Sequence, residues 1–242
     1  MSTASTYLSG VLLRTGLIPA ADIGTIAEAS RSEGTSITEQ VVRRGLATEE
    51  AFLEALAGVL RFPFVRLGST EIPKEVLDTL PPKVVFQYNV IPVSMEGGTL
   101  LVASSDPLNA GLMDALRLSC GLRVKLALSP AADIGRAAKR FYGVGAETVD
   151  RMMQDNRYEV LPDEQLGKTD LNQLDQEASV VKFVNQIIYE ACQQGATDIH
   201  FEPMETSLRI RYRGDGVLHQ TPVPGQLNRF QAAIISRIKV MA

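Results

Sequence analysis

Tryptophan is absent, and cysteine occurs only twice, as Cys120 and Cys192. With no Cys-x-x-Cys pair, a disulfide framework or a thiolate metal cluster is excluded. Both cysteines are expected as small buried apolar groups in a reducing compartment. Long apolar runs are missing too. No stretch approaches the roughly 18 residues that a membrane helix needs. The first residues, Met1 to Tyr7, lack a basic segment leading into an apolar run, so they do not form a secretory signal. These absences point to a cytoplasmic protein whose membrane contact is peripheral. Charge of one sign is also lacking: 24 basic and 28 acidic side chains give a net charge of −4. No segment is basic enough for duplex nucleic acid. Catalytic signatures are missing as well. There is no Gly-x-Gly-x-x-Gly and no His-Glu-x-x-His. No Gly-x-x-x-x-Gly-Lys-Ser/Thr occurs between Met1 and Ala242, so these residues hold no phosphate loop.

What is present divides by composition. Residues 1–145 have no net charge, residues 146–176 carry −5, and residues 177–242 carry +1. The first 62 residues read as helices with a weak internal repeat: Leu12-Leu13-Arg14-Thr15-Gly16-Leu17 returns as Val41-Val42-Arg43-Arg44-Gly45-Leu46. In each copy an apolar pair closes a helix and a glycine suits the left-handed position after it. Pro19 fits a first helical turn, and Thr48 fits an N-cap with Glu49 and Glu50 at the positive end of the dipole. Phe52, Leu53, Leu56 and Leu60 recur at helical spacing and are expected in a core.

Residues 63–145 change to strand–helix alternation. Strands are expected at Phe64–Leu67, Leu100–Ala103 and Val124–Leu128. Helices are expected at Ile72–Leu80, Gly111–Ser119 and Ala131–Tyr142. Val84–Tyr88 and Val90–Val93 are apolar. The fold class is therefore α+β: a helical N-terminal subdomain, a small α/β subdomain, a linker, and a second small α+β domain. The acidic segment 146–176 is that linker, since low hydrophobicity and net charge disfavour independent folding. Glu177–Gln194 then carries an apolar stripe, Val180, Val181, Val184, Ile187, Ile188 and Ala191, and Gly195 closes it. A last amphipathic helix through Phe230, Ile234, Ile238 and Met241 runs into Ala242 with no stop signal, which is expected of a chain cut before its natural end.

Between these helices lies the most informative stretch, Gly195 to Gly216. In Asp198–Glu202, Ile199 and Phe201 point one way and His200 and Glu202 the other. In Leu208–Arg213, Leu208, Ile210 and Tyr212 share one face and Arg209, Arg211 and Arg213 share the other. A short polar connection, Met204–Ser207, makes an antiparallel hairpin. Gly214-Asp215-Gly216 supplies a positive-φ turn into Val217. Three arginines on one face of one strand require anions opposite. Glu202 and Glu205 are candidate cross-strand partners. A phosphate is the other candidate, because guanidinium groups bind phosphate oxygens bidentately. Asp198, His200 and Glu202 offer too few convergent ligands for a metal site.

Ala196-Thr-Asp-Ile-His-Phe-Glu-Pro203, Arg211-Tyr-Arg-Gly-Asp-Gly-Val-Leu218 and Ser236-Arg-Ile-Lys-Val-Met-Ala242 together resemble the secretion ATPases of type II secretion and type IV pilus assembly. The usual pattern has serine where Thr197 stands and often a bulkier residue at Gly214. The resemblance implies a small domain that precedes the ATPase core, with the core beyond Ala242. It implies a homo-hexameric motor using ATP and Mg, peripheral at the inner membrane and docked on the cytoplasmic domain of a membrane-platform protein. It implies that Arg209, Arg211 and Arg213 are the candidates for nucleotide phosphate contact, and that Asp198, His200, Glu202, Pro203, Asp215 and Gly216 form the structural motif around them. No catalytic residue lies within this stretch of the motor.

The duplicated helical units also resemble N-terminal domains of the same family, one branch of which binds cyclic di-GMP. That branch opens each unit with Arg-Leu-Gly and closes it with Gln. Here Tyr7-Leu8-Ser9 and Ser36-Ile37-Thr38 open the units, and Ser30 and Val59 stand at the closing positions. Cyclic di-GMP is therefore not expected as a ligand. A non-catalytic adaptor or cyclic-dinucleotide-sensing module is the alternative reading.

Overall fold

The computed structural model of the chain describes residues 3–155 and 169–242. They form two compact units, Met1–Ala138 and Lys139–Ala242.

The first unit opens with four helices, α1 (Thr3–Arg14), α2 (Ala20–Glu33), α3 (Ile37–Arg43) and α4 (Glu49–Leu60). The repeated units behave as their sequence implies: Gly16 and Gly45 both take φ near +70° (70° and 67°) after α1 and α3. Caps fix the helix starts. The Ser36 hydroxyl accepts from the Glu39 N–H at 3.0 Å, and the Thr48 hydroxyl accepts from the Ala51 N–H at 3.3 Å. Pro19 sits one residue before α2 and gives no side-chain cap. Val11, Leu12, Ile26, Val41, Phe52, Leu53 and Leu56 are fully buried in one cluster.

A three-stranded sheet follows, ordered β1 (Val90–Glu96), β2 (Thr99–Ser104), β3 (Arg123–Leu128). The two residues Gly97 and Gly98 join β1 and β2 as an antiparallel pair; β2 and β3 are parallel, joined through α7 (Leu112–Cys120). Short helices α5 (Lys74–Leu77) and α6 (Pro82–Tyr88) precede the sheet, and α8 (Ala131–Tyr142) follows it. Leu128 belongs to the helical cluster as well as to β3, so helices and sheet share one core. The Glu49 carboxylate on α4 accepts from the Ala131 N–H at 2.8 Å, capping α8 from a distant helix.

Two sequence expectations are corrected here. Phe64–Leu67 is not a strand; Phe64 alone bridges Leu128 in parallel, because Pro63 contributes only its carbonyl before the chain leaves the sheet. The helix expected over Ile72–Leu80 shrinks to α5, which starts directly after Pro73.

The second unit contains α9 (Ala146–Asp155), α10 (Thr169–Gln193), a meander of β4 (Asp198–Pro203), β5 (Leu208–Gly214) and β6 (Val217–Thr221), a 3-10 helix (Gly225–Phe230) and α11 (Gln231–Met241). One cluster joins Val149 and Met152 of α9, Phe183, Val184 and Ile187 of α10, Leu208, Ile210 and Tyr212 of β5, and Ile234 of α11. The expected linker is thus helical over 146–155, and α10 starts at Thr169 rather than Glu177. Mean acidity concealed the stripe Ala146, Val149, Met152, which recurs at helical spacing and is buried. The expected linker's centre, residues 156–168, lies outside the described residues. Cys120 is half-buried and Cys192 exposed, against the expectation that both are buried. Cys192 lies on the side of α10 away from the stripe carrying Ile187 and Ala191, so the helix period leaves its thiol in solvent.

Candidate functional site: the arginine strand

Register places every residue of the site. Four residues, Met204–Ser207, join β4 and β5, and the Met204 N–H donates to the Ser207 carbonyl at 2.8 Å. Pro203 then faces Leu208, and counting outward pairs Glu202 with Arg209, His200 with Arg211 and Asp198 with Arg213. All six polar side chains fall on one face, because directly opposed residues project to the same side. At the other end, Asp215 (φ 48°) and Gly216 (φ 80°) make a two-residue turn with both residues left-handed, the geometry that suits the twist of a hairpin. Gly214 pairs with Val217 across it.

The opposite face of β5 explains why the arginines hold still. Leu208, Ile210 and Tyr212 are buried. The Tyr212 hydroxyl donates to the Ile187 carbonyl of α10 at 3.1 Å. Burial pushes the Tyr212 phenol up to about 12. The Leu208 N–H donates to the Asn228 side-chain oxygen at 2.6 Å. Fixing these three inward residues fixes the three outward ones.

The three guanidinium groups are not equally committed. Arg211 donates through both Nε and Nη2 to Oε1 of Glu202, the first at 3.1 Å. Arg213 Nε lies 3.0 Å from Asp198 Oδ2, and its Nη1 donates to the Gly216 carbonyl at 3.3 Å. Among the described residues, Arg209 has only a 3.9 Å approach to Glu202 Oε2, too long for a hydrogen bond, and its side chain is 41% exposed. The Arg211 hydrogen bond holds the Glu202 carboxyl below its usual value, with the charges of Arg211 and Arg209 adding to it. Three cations facing two carboxylates leave one positive charge in excess, centred on Arg209.

All nine singled-out positions, Asp198, His200, Glu202, Pro203, Arg209, Arg211, Arg213, Asp215 and Gly216, therefore sit on this one hairpin pair. The cross-strand anions are Glu202 and Asp198, not Glu202 and Glu205; Glu205 lies in the connecting loop. Loop length was the available signal, since a four-residue connection fixes Asp198 opposite Arg213. Thr197 keeps a hydroxyl at the mouth of the hairpin, and its N–H donates to the Arg213 carbonyl at 2.9 Å.

In the first unit, the positions opening the second repeated segment are occupied internally. The Ser36 hydroxyl caps α3, and the Thr38 hydroxyl donates to the Ser105 carbonyl at 3.2 Å. Arg43 is ion-paired with Glu33 and Glu39, and Arg44 donates to the Thr25 hydroxyl at 2.7 Å.

Residues 60–148 match the family described as MshEN domain, and residues 173–242 match the family described as Type II/IV secretion system protein. A type IV pilus assembly ATPase of Myxococcus xanthus is 28% identical over 237 residues, covering 97% of this chain and 42% of the relative. A type II secretion system protein E of Xanthomonas campestris is 32% identical over 250 residues, covering 99% of this chain and 42% of the relative. The solved N-terminal domain of XpsE aligns at 26% identity with a TM-score of 0.48, covering 59% of this chain and 99% of that domain. The chain spans about two fifths of the length of both relatives.

Proposed function

Because this chain belongs to the family of type II secretion and type IV pilus assembly ATPases, we propose that it is the N-terminal part of a hexameric motor. In this reading the first unit docks the motor on the cytoplasmic domain of an inner-membrane platform protein. The second unit lies against a nucleotide-binding core that follows in the whole protein, which uses ATP with Mg. Arg209 is the guanidinium that reaches the nucleotide phosphates. A cation aimed at developing phosphoryl charge lowers the barrier without being consumed.

The observation that carries this assignment is the unequal pairing on β5. Arg211 and Arg213 are held by Glu202 and Asp198, whereas Arg209 has only the 3.9 Å approach. Moving Arg209 to a phosphate breaks no hydrogen bond; moving either neighbour exposes a carboxylate. The test is steady-state ATP turnover of the whole protein carrying Arg209→Ala, Arg211→Ala or Arg213→Ala. Arg209→Ala is expected to lower kcat about a hundredfold or more, the scale for one lost transition-state donor. Its unfolding midpoint should stay close to that of the parent, since an exposed, weakly paired arginine contributes little to stability. Turnover within about twofold of the parent in Arg209→Ala removes the assignment.

The alternative, a cyclic-dinucleotide sensor or adaptor without catalysis, has less support. Recognition of that dianion needs free guanidinium groups at the starts of the repeated segments. Ser36 and Thr38 are bonded internally, and Arg43 and Arg44 are already engaged. Titration with cyclic di-GMP is expected to give no saturable heat at tens of micromolar.

A further inference from the structure

At the start of β3 the first unit gathers cations that no carboxylate among the described residues neutralises. Arg117, in the last turn of α7, and Arg123 and Lys125 of β3 line an open hollow of about 640 Å3, and no carboxylate lines it. Among the described residues none of the three makes an ion pair. By contrast Arg43, Arg66, Arg136, Lys139 and the three arginines of β5 all do.

The local fold brings the three together. Gly121 takes a left-handed φ of 67° and turns α7 directly into β3, so Arg117 and Arg123 face one hollow from either side of the turn. Arg123 and Lys125 are two apart on one strand and therefore project to the same face. Arg123 is held in place by its Nη2 donating to the Gly97 carbonyl at 2.9 Å. Leu122 lines the same hollow, and no hydrogen bond among the described residues uses its N–H. Like charges held this close repel unless an anion lies among them.

We propose that this hollow binds a phosphate-bearing dianion or polyanion. That chemistry is shared by soluble polyphosphates and by anionic lipid headgroups, and the inference stands apart from the motor reading. Guanidinium groups fork onto phosphate oxygens, Lys125 adds a point charge, and the Leu122 N–H is free to donate.

The test uses the 242-residue chain with two probes: inorganic pyrophosphate by calorimetry, and co-sedimentation with phosphatidylglycerol vesicles against phosphatidylcholine vesicles. Two variants accompany it, Arg117→Gln/Lys125→Gln in the hollow and, as a control of equal charge change, Lys74→Gln/Lys83→Gln at two exposed lysines of the same unit. Binding of at least one probe is expected, weakened about a hundredfold in the hollow variant and little changed in the lysine control, since each charged donor is worth about tenfold. Pyrophosphate binding identifies a soluble ligand; vesicle binding without it identifies a headgroup. Either supports the site. No association above the phosphatidylcholine control, binding by the hollow variant equal to that of the parent, or an equal loss in the hollow variant and the lysine control overturns it.

Discussion

Gly145 is a position where one added methyl group should cost the second unit heavily. It lies at φ +77°, and a Cβ built there would sit 2.6 Å from Cδ2 and Cε2 of Phe183. Phe183 is fully buried in the cluster that also holds the inner face of β5. Two costs add in Gly145→Ala. The left-handed backbone costs an L-residue about 1–2 kcal/mol. Forcing a methyl into a ring that cannot leave its core costs about 1–3 kcal/mol more. The sum, about 2–5 kcal/mol, is a large share of the roughly 5–15 kcal/mol that stabilises a domain.

A control within the same unit separates the two costs. Gly195 has φ +68°, and a Cβ placed on it would meet nothing within 4 Å, so Gly195→Ala carries the backbone cost alone. Urea unfolding followed by hydrogen exchange at the amides of α10 should show both variants destabilised, with Gly145→Ala lower by about 1–3 kcal/mol. Gly145→Ala/Phe183→Leu should recover part of that difference by making room, less the cavity cost of the smaller side chain. Equal destabilisation of Gly145→Ala and Gly195→Ala would falsify the close approach to Phe183 and leave only backbone strain.

Further outcomes follow from the same unit. Tyr212, pushed up to about 12, should resist ionisation in an ultraviolet titration at about pH 11, where a free tyrosine side chain, with its ordinary value near 10, is largely ionised. Because its folded value lies above the unfolded value near 10, its contribution is intact below about pH 10 and is lost as pH rises toward about 12. Tyr212→Phe should flatten the stability profile there. Glu202 has the opposite sign: its folded value is depressed by Arg211, so its contribution is present above the ordinary carboxyl range and fades as pH falls through the depressed value. A carbon-13 carboxyl titration should show Glu202 titrating below the ordinary glutamate range, and Arg211→Gln should return it toward that range.

Much of this architecture was legible in the sequence, for identifiable reasons. The faces of β4 and β5 follow from a period of two, and the turn at Asp215-Gly216 follows from a dipeptide that readily takes positive φ at both positions. Periodicity also gave α8 its bounds, Ala131 to Tyr142. The acidic segment misled because composition averages over a helix, whereas burial depends on one stripe. Glu147 and Arg151 lie toward solvent while Val149 and Met152 enter the core. Short elements failed for a different reason: Phe64 and Lys74–Leu77 are set by what lies beside them, not by their own pattern. The basic hollow was invisible because Arg117 and Lys125 become neighbours only through the turn at Gly121.

In the proposed reading, where a phosphate approaches β5, the charge arrangement on that strand constrains how it would be met. Two carboxylates hold two of three guanidinium groups on a rigid strand, so the face carries orientation without full neutralisation. A face with three matched pairs would offer an approaching phosphate no net attraction. A face with three unpaired arginines would suffer repulsion along the strand before any ligand arrived. One excess cation, beside pairs that fix its backbone and its neighbours, meets both demands. The residue that sets this balance is Asp198. Without it, Arg213 joins Arg209 as an uncommitted charge, and the face should attract anions more strongly but select among them less.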